Sequence, residues 1–420
     1  MLLLTRFAAG DAPPPAQVAP PPMVDPQFYD YESAAPYPVT ETPYPVTTED
    51  KKSGVTITKL TFPSVVQSPY AVNNTVTAYL FVPSGPAPRP AMVVLHEWNP
   101  SSPEGIFRLC RAIAAANVTA LMIVEPYSLN RHPDKVREGA EAGDAQILSG
   151  NVPRMVSALR QAVLDSRRGL DYLSSRPDVD TSRLGVAGIS LGGVLSGLVA
   201  GADPRVKVAI TIVGGADFAR GFWNGLLTRP YRQQIKRDGY TYQTYSDAMA
   251  PVDAANWLPQ RSFDPENALM INGHYDLVIR PEQGKALARD FGGTHIVWLN
   301  SGHYGALFSA KPAADLGVRF LRARFFGETA QFQRPDHLPS RTIKGGLLFG
   351  GQEGISPVLA TSLINLDGPG RYTVDGMLTL HGLSLAAQAR IGLISGVGVQ
   401  FPLLHGKIKP RPFVTFTLTL

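Results

Sequence analysis

Apolar and polar residues alternate from Val55 to Phe62, and again from Thr75 to Val82 behind the turn pair Asn73-Asn74. This is the pattern of half-buried strands. Ala91 to Leu95 is instead a continuous apolar run, as in a strand covered on both faces. A helix is predicted over Pro103–Ala116, with Pro103 in its first turn, and Val118–Val124 is the next buried strand. Between 152 and 175, Met155, Leu159, Val163, Leu170 and Leu173 form a helical stripe. Leu184–Ile189, Val206–Val213, Ala268–Asn272 and His295–Leu299 read as further strands. A helix opens at Leu191, and another carries Leu316, Phe320, Leu321 and Phe325. Strands alternating with helices predict the α/β class, with a mainly parallel, doubly wound sheet.

Both ends break this rhythm. After Gln331 helical stripes stop and glycine becomes frequent. Tyr372, Val374, Gly376, Leu378 and Leu380 alternate with Thr373, Asp375, Thr379 and His381, and Val414, Phe416, Leu418 and Leu420 alternate with threonines. Residues 331–420 are therefore expected to be a β-rich C-terminal module, its strands lying within 342–420. At the other end, eleven of the 37 prolines fall in the first 50 residues, and Pro-Tyr-Pro-Val-Thr occurs at 36–40 and 43–47. Such a segment favours extended, solvated backbone, so 1–53 is expected to be a disordered Pro-rich tail. Tyr29, Tyr31, Tyr37 and Tyr44 offer it a means of lying along a surface. The catalytic-size domain is placed at 54–330.

Composition narrows the function. Hydrophobic residues make up 44% and charged residues 17% of the 420, so a large core can form. The net charge is +5 with no Lys/Arg block, which argues against a nucleic-acid partner. The single cysteine, Cys110, sits in a helical apolar stripe and reads as a buried structural thiol. No run of 18 apolar residues occurs. The opening MLLLTRFAAGDA reads as the end of a truncated targeting segment, giving an expectation of export to the periplasm, outer membrane or medium; a cytoplasmic location is the alternative. No metal-ligand spacing and no phosphate-cradling loop is found, so neither a metal nor another cofactor is expected.

The sharpest local signal is Gly188-Ile189-Ser190-Leu191-Gly192-Gly193. It fits G-x-S-x-G between a buried strand and a helix, where a serine on a tight turn faces the free N–H groups of a helix start. The region 55–326 resembles the α/β-hydrolase superfamily, whose triad runs serine, acid, histidine. That resemblance implies Ser190 as nucleophile. It implies Asp276, in Gly273-His274-Tyr275-Asp276-Leu277-Val278, as the acid. It implies His303, in Ser301-Gly302-His303-Tyr304-Gly305, as the base, with His274 and His295 as rivals. A serine hydroxyl needs such an imidazole to take its proton and a carboxylate to orient that imidazole.

One oxyanion donor is expected at the Leu191 N–H. The loop after Ala91–Leu95 reads His96-Glu97-Trp98-Asn99-Pro100, similar to the His-Glu-aromatic segment of dienelactone-hydrolase-like proteins. That similarity implies the Trp98 N–H as the second donor with Glu97 close by, although serine stands where dienelactone hydrolases carry cysteine. A buried Glu97 is expected to meet a basic or hydroxyl group. The aromatic-rich excursion 217–265 is expected to act as a lid-like insertion. His96, Tyr127, Arg131, Trp223 and His274 are candidate pocket residues, Arg131 as a receiver of a substrate carboxylate.

These readings point to a serine hydrolase of carboxylic esters acting through an acyl-enzyme, with a small ester as its partner. A prolyl-oligopeptidase-like peptidase is the alternative. From a different class comes an envelope-anchored protein, attached to the outer membrane or cell surface through 342–420. A single-chain spanning barrel needs at least eight strands, so the five or six expected here point to part of an oligomeric barrel, a surface anchor or a small soluble β domain packed on the hydrolase.

Overall fold

The computed structural model describes residues 24–31, 37–133, 146–340, 342–350, 354–367, 370–391, 395–403 and 410–419. The opening MLLLTRFAAGDA and most of the proline-rich start lie outside them. So does the first residue of the first Pro-Tyr-Pro-Val-Thr pentad.

The first unit is built on a ten-stranded sheet. Its strands are β1 (Thr40–Pro43), β2 (Thr56–Pro63), β3 (Thr75–Val82), β4 (Arg89–Leu95) and β5 (Thr119–Ile123). They continue as β6 (Val179–Ile189), β7 (Val206–Ile212), β8 (Ala268–Gly273), β9 (Ile296–Leu299) and β10 (His337–Leu338). The spatial order is β1-β2-β3-β5-β4-β6-β7-β8-β9-β10. β1, β2 and β3 pair antiparallel, β3 meets β5 antiparallel, and every pair from β5 to β10 is parallel.

The central strands are buried on both faces because helices cover them. The helices in chain order are α1 (Thr48–Ser53), α2 (Glu104–Ala115), α3 (Val152–Ser175) and α4 (Leu191–Ala202). Then come α5 (Phe218–Asn224), α6 (Arg229–Arg237), α7 (Tyr242–Met249), α8 (Pro281–Asp290) and α9 (Ala310–Phe326). Phe107 and Cys110 of α2 share a core with Leu316 and Phe320 of α9. Leu159 of α3, Leu195 and Leu198 of α4 and Leu287 of α8 belong to the other. Cys110 is fully buried, and burial raises its thiol pKa, which fits an inert thiol. No described helix is long and apolar enough to cross a membrane.

Both expected domain boundaries shift. β1 pairs with β2, and β10 adds an edge strand to β9, so the sheet draws in residues 40–43 and 337–338. The described N-terminal residues also form a bound strap rather than a tail. Tyr29 is buried against Trp257 and donates its hydroxyl to Pro251 O at 3.0 Å. Tyr31 donates to Asp171 Oδ2, and Tyr37 to Arg168 O, both at 2.5 Å on α3. Proline content alone predicts an extended, mobile backbone, and the tyrosines singled out in the sequence are what fasten it.

The second unit is a closed antiparallel barrel of β11 (Ile343–Gly350), β12 (Gly354–Asn365), β13 (Tyr372–Thr379), β14 (Gly382–Arg390), β15 (Ser395–Pro402) and β16 (Arg411–Thr419). β16 returns to pair with β11, so no edge is left open. One end of the barrel meets the first unit. There Thr342 Oγ1 donates to Asn300 O at 2.5 Å, and the Arg390 guanidinium lies 3.6 Å from the Tyr275 ring centroid.

Candidate active site

Strand β6 delivers Ser190 into a tight turn, and α4 starts at the next residue. Ser190 has φ 56° and ψ −115°, a backbone conformation that costs a non-glycine residue about 1–3 kcal/mol. The turn is held by Ser190 N–H donating to Ile212 O at 2.9 Å and Val194 N–H donating to Ser190 O at 3.0 Å. Two flanking glycines are required sterically. A Cβ on Gly188 would lie 2.2 Å from Gly192 O, and one on Gly192 would lie 2.2 Å from Leu95 O. The second clash shows how closely the first turn of α4 approaches the end of β4.

Loops after β8 and β9 bring two further groups to this turn. His303 Nε2 lies 2.8 Å from Ser190 Oγ, and His303 Nδ1 lies 2.7 Å from Asp276 Oδ2. Asp276 is fully buried, and its Oδ1 accepts the N–H groups of Val278 and Ile279, each at 2.8 Å. Three side chains from three different loops thus form one hydrogen-bonded line. The rival histidines lie apart from it. His295 pairs with Asp336 at 3.0 Å, and His274 stacks on Trp298 at 4.5 Å with its Nε2 3.3 Å from that of His337.

Behind the serine, the Leu191 N–H opens α4 and has no acceptor within the helix. The loop His96-Glu97-Trp98 packs beside it, and Glu97 and Trp98 line the same cavity as Ser190 and Leu191. Glu97 is half-buried on that wall and makes no hydrogen bond or ion pair with a described side chain. The expected partner is missing because the carboxylate keeps contact with solvent. Glu125, one strand over, is the buried one. Neither of its carboxyl oxygens accepts a hydrogen bond among the described residues, Oε2 lies 3.9 Å from the neutral ring of His96 at Nδ1, and burial raises its pKa well above the usual carboxylate range.

His96 does not line the cavity. It is fully buried behind the loop, donating from Nδ1 to Glu97 O at 2.6 Å and accepting the Glu125 N–H on Nε2 at 3.0 Å. These partners fix a neutral ring, and burial lowers its pKa to about 4. It ties the loop to the chain leaving β5.

Four more pocket expectations are overturned. Arg131 is fully buried in an ion pair with Asp165 at 2.8 Å, and it also donates to Asn73 O and Val124 O. It is structural and meets no substrate carboxylate. Tyr127 is buried with its N–H on Asn73 Oδ1, against Tyr70. Trp223 packs on Tyr245 at 5.4 Å, under Lys236. His274 is also absent from the cavity wall; its stack on Trp298 turns it toward the barrel side.

The cavity itself measures about 400 Å³. Phe218 and Phe222 from α5 supply its aromatic wall, with Leu148, Val194 and Leu226 adding aliphatic surface. Part of the insertion thus lines the cavity, while Tyr245, Trp257 and Phe263 join the main core on that face of the sheet. Buried Asp253 holds α5 in place by accepting the N–H groups of Asp217 and Phe218 at 3.1 and 2.6 Å. Arg108 also reaches the wall, a contribution that helical spacing on α2 did not reveal. Among the described residues no cluster suited to a metal ion is found.

Residues 160–295 match the prolyl oligopeptidase family. YtaP of Bacillus subtilis (strain 168) is 38% identical over 122 residues, 29% of this chain and 37% of that protein. An uncharacterized protein of Mycobacterium tuberculosis is 27% identical over 260 residues, 60% of this chain and 57% of its own length. The chain thus spans from about a third to little more than half of these relatives. Among solved structures, acetyl xylan esterase 1 from Thermoanaerobacterium sp. JW/SL YS485 aligns with a TM-score of 0.52 at 18% identity, over 70% of this chain and 90% of that one. An acetyl xylan esterase from Paenibacillus sp. R4 gives 0.51 at 19%, over 69% and 89%. The first unit shares their fold.

Proposed function

We propose that this chain is a serine hydrolase of the α/β-hydrolase superfamily that cleaves carboxylic esters through an acyl-enzyme on Ser190. The observation that carries the reading is the line Ser190–His303–Asp276 opening on an apolar cavity. His303 takes the Ser190 proton on Nε2 as Oγ adds to the ester carbonyl. Asp276 keeps the other ring proton on Nδ1 and stabilises the imidazolium. The carbonyl oxygen, now negative, turns to the N–H groups of Leu191 and Trp98. Collapse expels the alcohol, which leaves with the proton held by His303. A water then attacks the acyl-enzyme by the same route and frees the acid. Phe218, Phe222 and Leu148 give the acyl or aromatic part an apolar seat.

The family match at 160–295 supports a second reading, cleavage of aminoacyl amides by the same residues. A panel of p-nitrophenyl esters beside aminoacyl arylamides separates the two. Ester turnover, with fluorophosphonate labelling lost in Ser190→Ala, supports the first reading. Undiminished turnover by Ser190→Ala sinks both.

A further inference from the structure

The C-terminal barrel is inverted relative to a water-soluble one. All four charged residues on its strands, Lys344, Asp375, Arg390 and Arg411, lie on the rows that face the lumen. Lys344 and Asp375 are buried there as an ion pair at 2.6 Å. Gln388 donates to Thr415 at 3.0 Å and Gln400 to Ser384 at 2.8 Å, both in the interior. A small apolar cluster around Phe413 and Met377 fills the rest.

The outward rows carry the opposite chemistry. Each strand exposes at least one large apolar side chain: Leu347, Leu359, Leu378, Leu383, Val397 and Phe416 in order, from 37% to 52% exposed. No Asp, Glu, Lys or Arg occupies an outward position among the described strand residues. Water favours the reverse arrangement, whereas hydrocarbon favours this one.

We propose that the barrel is a membrane anchor whose outer wall faces lipid acyl chains. The choice of lipid over a second copy rests on the circumference. Among the described residues the first unit meets the barrel at one end, through Thr342, Gly370 and Arg390, and the outward apolar side chains along the strands stay exposed. A second copy would cover one flank of a closed wall, while the apolar side chains run all the way round it. The height fits as well. Eight or nine residues, the length of every barrel strand but β12, extend about 27–30 Å, which is about 21–23 Å along the axis of a barrel tilted by about 40°. Spanning barrels carry an apolar band of about 25 Å. Closure supplies the other requirement, since every strand has a neighbour on both sides. Six strands are two fewer than in the smallest single-chain outer-membrane barrels, and the lumen is correspondingly narrow and filled by its own side chains, so the barrel anchors and does not conduct.

The test is independent of any reaction at Ser190. The full chain is mixed in detergent with vesicles of phosphatidylcholine and phosphatidylglycerol, the detergent is diluted away, and the mixture is floated on a density gradient. The expected result is protein in the vesicle fraction that survives an alkaline carbonate wash. Leu359→Arg, Leu378→Arg and Phe416→Arg together should lower that fraction at least tenfold while the thermal melt of the first unit, read by near-ultraviolet circular dichroism, stays in place. Wild-type protein that is a monodisperse monomer or dimer without detergent, and is left behind by the vesicles, overturns the proposal. So does a triple variant that floats as well as the wild type. If that variant does not fold, the wild-type flotation alone decides.

Discussion

The carboxylate of Asp276 is locked in rotation: Oδ2 faces His303 Nδ1 at 2.7 Å while Oδ1 accepts two backbone N–H groups. Those donors demand an oxygen. In Asp276→Asn they would hold the amide oxygen in the Oδ1 place and turn the NH₂ toward Nδ1. The ring proton would then sit on Nε2, where the base must be free. Turnover of p-nitrophenyl acetate should fall by about 10³–10⁴-fold with little change in melting temperature. A variant that keeps a tenth of wild-type kcat would count against Asp276 as the orienting acid.

The left-handed backbone at Ser190 separates two inactive variants. Ser190→Ala keeps the strain, and Ser190→Gly releases it. After allowing for the greater freedom of glycine in the unfolded chain, the Gly variant should be the more stable by about 1 kcal/mol. Urea denaturation of the pair checks this, and equal midpoints would mean the turn is unstrained.

His96 predicts acid sensitivity. Its pKa falls from the ordinary 6.5 to about 4 in the fold, so the folded state favours the neutral ring. The stability this adds is complete above pH 6.5 and is lost as pH falls toward 4, about 3 kcal/mol in all. Urea midpoints across that range should decline in the wild type and decline less in His96→Gln. Parallel profiles would refute the assignment.

Glu125 acts in the opposite direction. Its pKa is raised, so the fold favours the neutral acid and loses stability as pH rises through and above the ordinary carboxylate range. Glu125→Gln keeps the shape and removes the ionisation. Melting temperatures should show the variant gaining on wild type from pH 5 to pH 8; a gain that shrinks with pH would mean the acid has a partner.

Arg131 should behave as a structural residue. Arg131→Met leaves Asp165 buried without its cation, at a cost of about 3–5 kcal/mol. The folded fraction should keep its KM for neutral and acidic esters alike. A KM raised only for acidic esters would restore Arg131 to the pocket.

The parallel sheet was legible because buried runs such as Ala91–Leu95 and stripes such as that of 152–175 depend only on local periodicity. Ser190 was legible from G-x-S-x-G between a strand and a helix, whereas Asp276 and His303 were legible only through the resemblance to the α/β-hydrolase superfamily, which implies an acid and a histidine just past later strands. What failed was the direction in which loop residues face. Arg131 and Tyr127 sit in a loop at the expected sheet edge, yet their side chains turn inward to Asp165 and Tyr70. Composition cannot tell these orientations apart. The barrel presents the same difficulty in another form. Period-two alternation at 372–380 announces two unlike faces without saying which is enclosed. Only the pairing of β16 with β11 shows that the threonines, Lys344 and Asp375 are inside.

Tyr275 stands one residue before Asp276, and its ring carries Arg390 from the final residue of β14. The two units therefore share a joint at the residue next to the acid. A rigid joint of this kind makes the reaction centre a gauge of the barrel. Whatever loosens the barrel loses the cation that steadies this ring, and the disturbance reaches the carboxylate before any strand of the larger sheet has parted. Loss of turnover should then precede loss of helical signal when the protein is heated or exposed to harsh detergents.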